Sequence, residues 1–335
     1  MKQSVPVEEL LNAARTAFDE CTHLLIFAGA GMSVDSGLPD FRSDGGFWNA
    51  YPLLKELKLT YELLSTPKMF EENPELAWGF FGHKYELVNS KTPHRGYEIL
   101  LNKCKSLGWD KSFVVTSNVD GFFERAGFNP HNIYEIHGSM HWMQQKNPRK
   151  NGDDVIETKT IAELQSGNLA VDPKTVKLTS KLPEANLRPN IWMFDDNAFS
   201  RKRADIQREN YEWDFKQEAF MTGGGTRLLI LEIGAGTGVM TIRQMGSTVA
   251  KQIKERRYHL ADNSWFVRVN PEMYHVQDGK ARRSWQFLDA IGVPMKALEF
   301  LEKMPEPKVR SNEIVVEKEK PMPVAPQFDD WDEFN

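Results

Sequence analysis

The chain has 335 residues, 40% of them hydrophobic and 27% charged, with a formal net charge of −5 at pH 7. That size supports one large domain or two modest ones around a substantial core, and the composition is that of an ordinary globular protein. The acid excess excludes a nucleic-acid partner held mainly by charge, and no apolar run approaches the roughly 18 to 20 residues that a membrane span needs. Cys21 and Cys104 are the only cysteines. With no CxxC pair and a polar, amphipathic N-terminus unlike a secretory signal, they lead us to expect a cytoplasmic protein rather than a disulfide scaffold.

In chain order, Val7–Glu20 has helical spacing, with Leu10, Leu11, Ala14 and Phe18 on one side. Residues 24–27 (LLIF) form a short buried-type strand, broken by Gly29-Ala30-Gly31. Residues 50–90 are aromatic-rich and helical, and residues 113–116 (FVVT) form a second strand ending at Ser117-Asn118-Val119-Asp120. Residues 144–188 are polar and irregular, with KNPRKNGDD as the clearest loop. A strand is expected at 191–194 and a charged helix at 201–219. Residues 228–233 (LLILEI) are the strongest strand and run into Gly234-Ala235-Gly236-Thr237-Gly238. Another strand at 265–269 and a helix at 295–303 follow. Strands alternating with helices indicate an α/β fold with a doubly wound, Rossmann-like parallel sheet. From Pro305 the chain is proline-rich and acidic, and we expect a mobile tail.

A glycine turn at the carboxyl end of a strand lets backbone N–H groups approach a phosphate. Such turns are also common for steric reasons alone. The second cluster, LLILEIGAGTG, is similar to the first motif of S-adenosylmethionine methyltransferases. Against that reading, the cluster lies late in the chain, and the next strand ends in Asn270-Pro271 rather than in an acid.

Several blocks together decide between these readings. The stretch GAGMSVDSGLPDFRSDGGFW resembles the signature of the sirtuin (Sir2) family of NAD-dependent protein deacylases. The resemblance continues through TSNVDGFFERAG, EIHGS, RPNIWMF, EIGAGTG and RVNPE, in family order across residues 20–300. TSNVDG and EIGAGT are most similar to a bacterial-type subgroup.

The resemblance implies a catalytic unit over 1–304. A cofactor-binding part would comprise about 1–48, 90–140 and 220–304, with smaller inserted parts at 49–89 and 141–200 and a tail at 305–335. It implies NAD as cofactor, with Gly29, Ala30, Gly31 and Ser33 around the diphosphate. Asp40, Phe41 and Arg42 would lie on a loop that orders over it. Ser117, Asn118 and Asp120 would hold the ribose and carboxamide, with a turn that caps a helix as the lesser reading of Asn-x-Asp. Gly234, Gly236, Thr237, Asn270 and Glu272 would contact the adenosine half. His137 would be the general base, since imidazole titrates near neutrality. The implied activity is protein lysine deacylation on an acylated protein or peptide partner. A sirtuin-like NAD hydrolase or ADP-ribosyltransferase is the alternative, and the methyltransferase a distant one.

The sequence also departs from the family. Most sirtuins carry four zinc-binding cysteines after the HGS segment, whereas residues 140–190 contain none and hold one histidine, His141. No metal site is expected, and packing by Trp142, Ile156, Leu164, Leu169 and Leu182 is expected to hold the small domain. Ser117 stands where many sirtuins have glutamine, and Asp195 where the family has glycine. Phe81 and Lys84 replace the Tyr-x-x-Arg pair of acidic-acyl-specific relatives, keeping the cation and losing the phenol. The terminal FDDWDEFN could dock on a basic groove or be a solvated end.

Overall fold

The computed structural model of the protein describes residues 5–39, 59–151, 155–157, 186–221, 225–255, 264–276 and 289–307. Asp40, Phe41, Arg42, Leu164, Leu169, Leu182 and the terminal FDDWDEFN lie outside these residues.

Helix α1 (Val7–Glu20) starts after Pro6, carries Glu8 and Glu9 in its first turn, and buries Leu11, Ala14 and Phe18. Acids there complement the positive end of the helix dipole. Strand β1 (His23–Ala28) is buried at every position, as expected for a parallel strand covered on both faces. Leu24, Ile26 and Ala28 join the core that contains α1, while Leu25 and Phe27 enter the opposite core. The period-2 geometry of the strand makes that division.

The short α2 (Gly31–Val34) follows β1. Next come α3 (Tyr61–Leu64) and α4 (Pro67–Glu72), capped by the hydroxyls of Thr60 and Thr66, and then α5 (Pro74–Asn89) and α6 (Arg95–Leu107). The chain continues through β2 (Ser112–Thr116), α7 (Phe122–Arg125), β3 (Ile133–Glu135), β4 (Gly138–Gln145), α8 (Pro148–Asn151), β5 (Val155–Glu157) and β6 (Leu187–Ile191). Helix α9 (Lys202–Glu209) passes through a π-helical turn, Asn210–Phe215, into α10 (Lys216–Met221). The last elements are β7 (Leu228–Ile233), α11 (Thr241–Glu255), β8 (Trp265–Val269), β9 (Asp289–Val293) and α12 (Ala297–Leu301).

Six strands form one parallel sheet in the order β3-β2-β1-β7-β8-β9. The chain winds outward from β1 to one edge, then returns beside β1 and winds to the other. The switch point therefore lies between β1 and β7, whose carboxyl ends carry the two glycine turns. Ligands of open α/β sheets bind in the crevice at such a point.

Strands β5, β4 and β6 form a second, antiparallel sheet. Here several expectations are corrected. The strand expected at 191–194 runs instead over Leu187–Ile191, because Gln145 pairs with Leu187 and Gly138 with Ile191. Beyond it, Asp195 takes φ +54° and turns the chain. The expected loop KNPRKNGDD contains a helical turn at Pro148–Asn151. Trp142 is only half-buried and faces Arg203, while Met140, Met143, Leu187 and Ile191 supply the described apolar core. Buried polar groups reinforce it. Gln144 Oε1 accepts from Asn190 Nδ2 and Ser200 N, and Arg188 donates to both carboxylate oxygens of Asp196 at 2.8 Å. Both side chains of that ion pair are fully buried.

Candidate active site

The two glycine turns interlock. Gly31 N donates to Gly234 O at 2.9 Å, and a Cβ on Gly31 would stand 2.8 Å from Gly234 Cα. Gly234 itself has φ +67°, and a Cβ there would meet Met32 N at 2.2 Å. Any larger residue at either position would force the strand ends apart.

Three donors, Arg243 Nε, Arg243 Nη2 and Asn270 Nδ2, converge on Ala235 O at 2.9–3.1 Å. Because the peptide is planar and trans, holding that carbonyl points the Gly236 N–H the opposite way. A Cβ on Gly236 would meet nothing within 4 Å, so this turn borders open space. Glu232, the acid preceding the turn, is buried against Arg268, with oxygens 2.6 and 2.9 Å from its guanidinium nitrogens.

Ser33, Asn118 and Asp120 meet although they lie 85 and 87 positions apart in sequence. Ser33 Oγ donates to Asp120 Oδ2 at 2.6 Å, and Asn118 Nδ2 donates to Ser33 Oγ at 3.1 Å. All three are buried. Asp120 Oδ1 also accepts from Phe122 N at the start of α7, so the helix-capping role weighed from sequence is real and coexists with the cluster. Burial raises the Asp120 carboxyl above the usual range, opposed by the Ser33 and Phe122 hydrogen bonds and by the charges of His141 and Lys84.

His137 sits where the two sheets meet. On one side Ile136 N closes the large sheet on Thr116 O, and on the other Gly138 pairs with Ile191. Trp192 N donates to His137 O at 2.9 Å, and Thr241 Oγ1 lies 3.4 Å from His137 Nε2. His137, Ser33, Asn118 and Asp120 line one cavity of about 540 Å³. A second, of about 470 Å³, is lined by Gly29, Gly31, Gly234, Gly236, Thr237, Asn270 and Glu272. Ala30 and Ser117 line both, so the cavities adjoin.

Ser33 lines the first cavity and not the glycine-lined one expected for it. The Asn270 side chain is engaged by the protein at both ends, donating to Ala235 O and accepting from Glu272 N and Met273 N. Among the described residues, no group of three or more His, Cys, Asp or Glu side chains could hold a metal ion. Cys21 and Cys104 are buried thiols, and burial pushes them up to about 11 and about 12.

Motif reading singled out Lys84 and missed its partner. Lys84 is buried in the wall of the first cavity and donates to Tyr61 OH at 3.1 Å. The phenol absent at Phe81 thus comes from another helix, a pairing with no local signature. Asp195 takes φ +54°, a conformation that glycine adopts without strain, and Asp196 beside it takes the ion pair with Arg188.

The cleft is suited to a dinucleotide. It offers adjoining cavities, an unobstructed glycine turn in one, and buried amide, carboxyl and imidazole groups in the other. Comparison with known proteins agrees with this. A family model described as "SIR2: Sir2 family" matches residues 29–215. The mitochondrial NAD-dependent protein deacylase sirtuin-5 of Canis lupus familiaris is 31% identical over 210 residues, covering 58% of this chain and 63% of its own length. An NAD-dependent protein deacylase of Daphnia pulex is 30% identical over 213 residues, covering 58% and 72%. The solved structure of a Sir2 homolog–NAD complex superposes with a TM-score of 0.56 at 20% identity, covering 87% of this chain and 91% of that one. The chain spans less than two thirds of the dog relative. The family match nevertheless covers more than half of the chain, from the first glycine turn through Asn118, Asp120 and His137 to the π-helical turn, and the protein belongs to the Sir2 family.

Proposed function

We propose that this protein is an NAD-dependent deacylase acting on acyl-lysine in a protein or peptide. The observation that carries the reading is the single cavity in which His137, Asn118 and Asp120 share a wall and which adjoins the glycine-lined cavity. The backbone around Gly31 and Gly236 would hold the cofactor diphosphate, and Asn118 with Asp120 its nicotinamide end. NAD, when bound, supplies an electrophilic ribose carbon as nicotinamide departs.

The chain's own groups do the rest. His137 accepts the hydroxyl proton that must leave before the acyl group can move. Ile191, Trp192, Met193 and Phe194, which line the same cavity, form the wall for the acyl-lysine. Lys84 and Tyr61, which line the same cavity, suit an acyl chain that ends in a carboxylate. Ser117 and EIGAGT support the bacterial-type subgroup. With two cysteines committed to the core, we infer that the small domain is held by packing and buried polar groups without zinc. Two unbridged thiols also suit a cytoplasmic setting.

The test is nicotinamide release from NAD by purified protein, with and without acetyl- and succinyl-lysine peptides. Release should depend on peptide and favour the succinyl form, and Lys84→Met should remove that preference. Equal release without any peptide would reject the deacylase in favour of an NAD hydrolase.

A further inference from the structure

Tyr97 makes the third hydrogen bond to Ser33 Oγ, beside those of Asp120 and Asn118. It lies on α6, is fully buried, and places its hydroxyl 2.9 Å from Ser33 Oγ. Its ring is wedged by Phe122, Phe123 and His94, with centroids 5.0–5.9 Å away. His94 docks the start of α6 onto α2: Nδ1 accepts from Gly96 N, so the Nε2 proton goes to Met32 O, next to Ser33.

The donors and acceptors around Ser33 leave one arrangement. A serine hydroxyl has one proton and two lone pairs, and an ionised carboxylate only accepts. The Ser33 proton therefore goes to Asp120 Oδ2. Asn118 Nδ2 donates to one lone pair, and the Tyr97 hydroxyl must donate to the other. Resting on the function proposed above, we propose that Tyr97 is a positioning residue for this site. Its hydroxyl saturates Ser33, fixing the serine in the one orientation that holds both the Asn118 amide and the Asp120 carboxylate on the cavity wall.

Tyr97→Phe keeps the ring and deletes only the donor. Ser33 is then free to rotate, and its hydrogen bond no longer steadies the charged form of Asp120. Turnover should fall about tenfold, the order expected when a buried group loses its hydrogen-bond partner, with the KM for peptide unchanged. The acidic limb of the kcat/KM profile should move to higher pH. Lys84, His141 and Glu135 are charged or titratable groups whose fields reach Asp120, and the substitution leaves all three in place.

The experiment is a double-mutant cycle with Ser33→Ala, reading turnover and the pH dependence of thermal stability. In the Ser33→Ala background, Tyr97→Phe should change turnover less than twofold and leave the pH dependence unaltered. Additive effects, or a Tyr97→Phe protein with lowered melting temperature but an unshifted pH profile, would overturn the proposal and make Tyr97 a packing residue. The stability arm needs no substrate. If wild-type protein released no nicotinamide, the deacylase reading would fail while that arm still decided the role of Tyr97.

Discussion

Ser33 Oγ donates to Asp120 Oδ2 at 2.6 Å across 87 positions of sequence, tying the helix after the first glycine turn to the loop after β2. The bond compensates only part of what burial costs the carboxylate, because Asp120 still titrates above its ordinary 3.8. A raised carboxyl pKa means that the folded state binds more protons than the unfolded state between 3.8 and the folded value. Stability therefore falls as pH rises through that window.

Asp120→Asn removes the buried charge. The variant should melt at or above the wild-type temperature at pH 7 while turnover drops roughly 100-fold, the scale of a misplaced catalytic geometry. The melting-temperature gap should close as pH falls toward 3.8. A gap that stays constant over the whole acid range would show that the carboxylate carries no such cost.

His137→Ala should reduce turnover by on the order of 100- to 10,000-fold, as expected for loss of a positioned base. NAD affinity, measured by calorimetry, should survive, since the glycine-lined cavity lies on the other side of Ala30 and Ser117. Near-normal turnover by a well-folded variant would remove the base assignment.

Arg188→Met should destabilise the protein by about 3–5 kcal/mol, because it strands the fully buried carboxylate of Asp196 without a partner. Adding Asp196→Asn should recover much of that loss in denaturant unfolding. If the single variant matched wild type, the ion pair would not be what ties β6 to the turn after it.

Asp195→Ala should cost about 1 kcal/mol, since alanine pays the full left-handed penalty that aspartate partly escapes. Asp195→Gly should leave stability unchanged or slightly higher. The reverse order in melting temperature would contradict the positive φ.

Much of the framework is local and therefore legible. The strand at 265–269 and the helix Val7–Glu20 match the structure end to end, because an apolar run bounded by breakers and an amphipathic repeat are short-range patterns. The glycine turns, Asn-x-Asp and His137 also stand out as motifs. The small sheet was less legible. Its last strand, β6, is set by pairing with β4, so propensity alone placed it a few residues late.

The sequence by itself determined the fold class, the Sir2-like order of motifs and which polar residues were candidates for chemistry. Only the tertiary structure decided which of them meet. It put Ser33 with Asp120 and Asn118 rather than with the glycine turn, brought Tyr61 to Lys84, and set the Tyr97 hydroxyl against Ser33. The physical reason is that hydrophobic periodicity and turn chemistry act over a few residues. A hydrogen bond between buried side chains depends on how strands and helices dock, and residues dozens of positions apart carry no local mark of their partners.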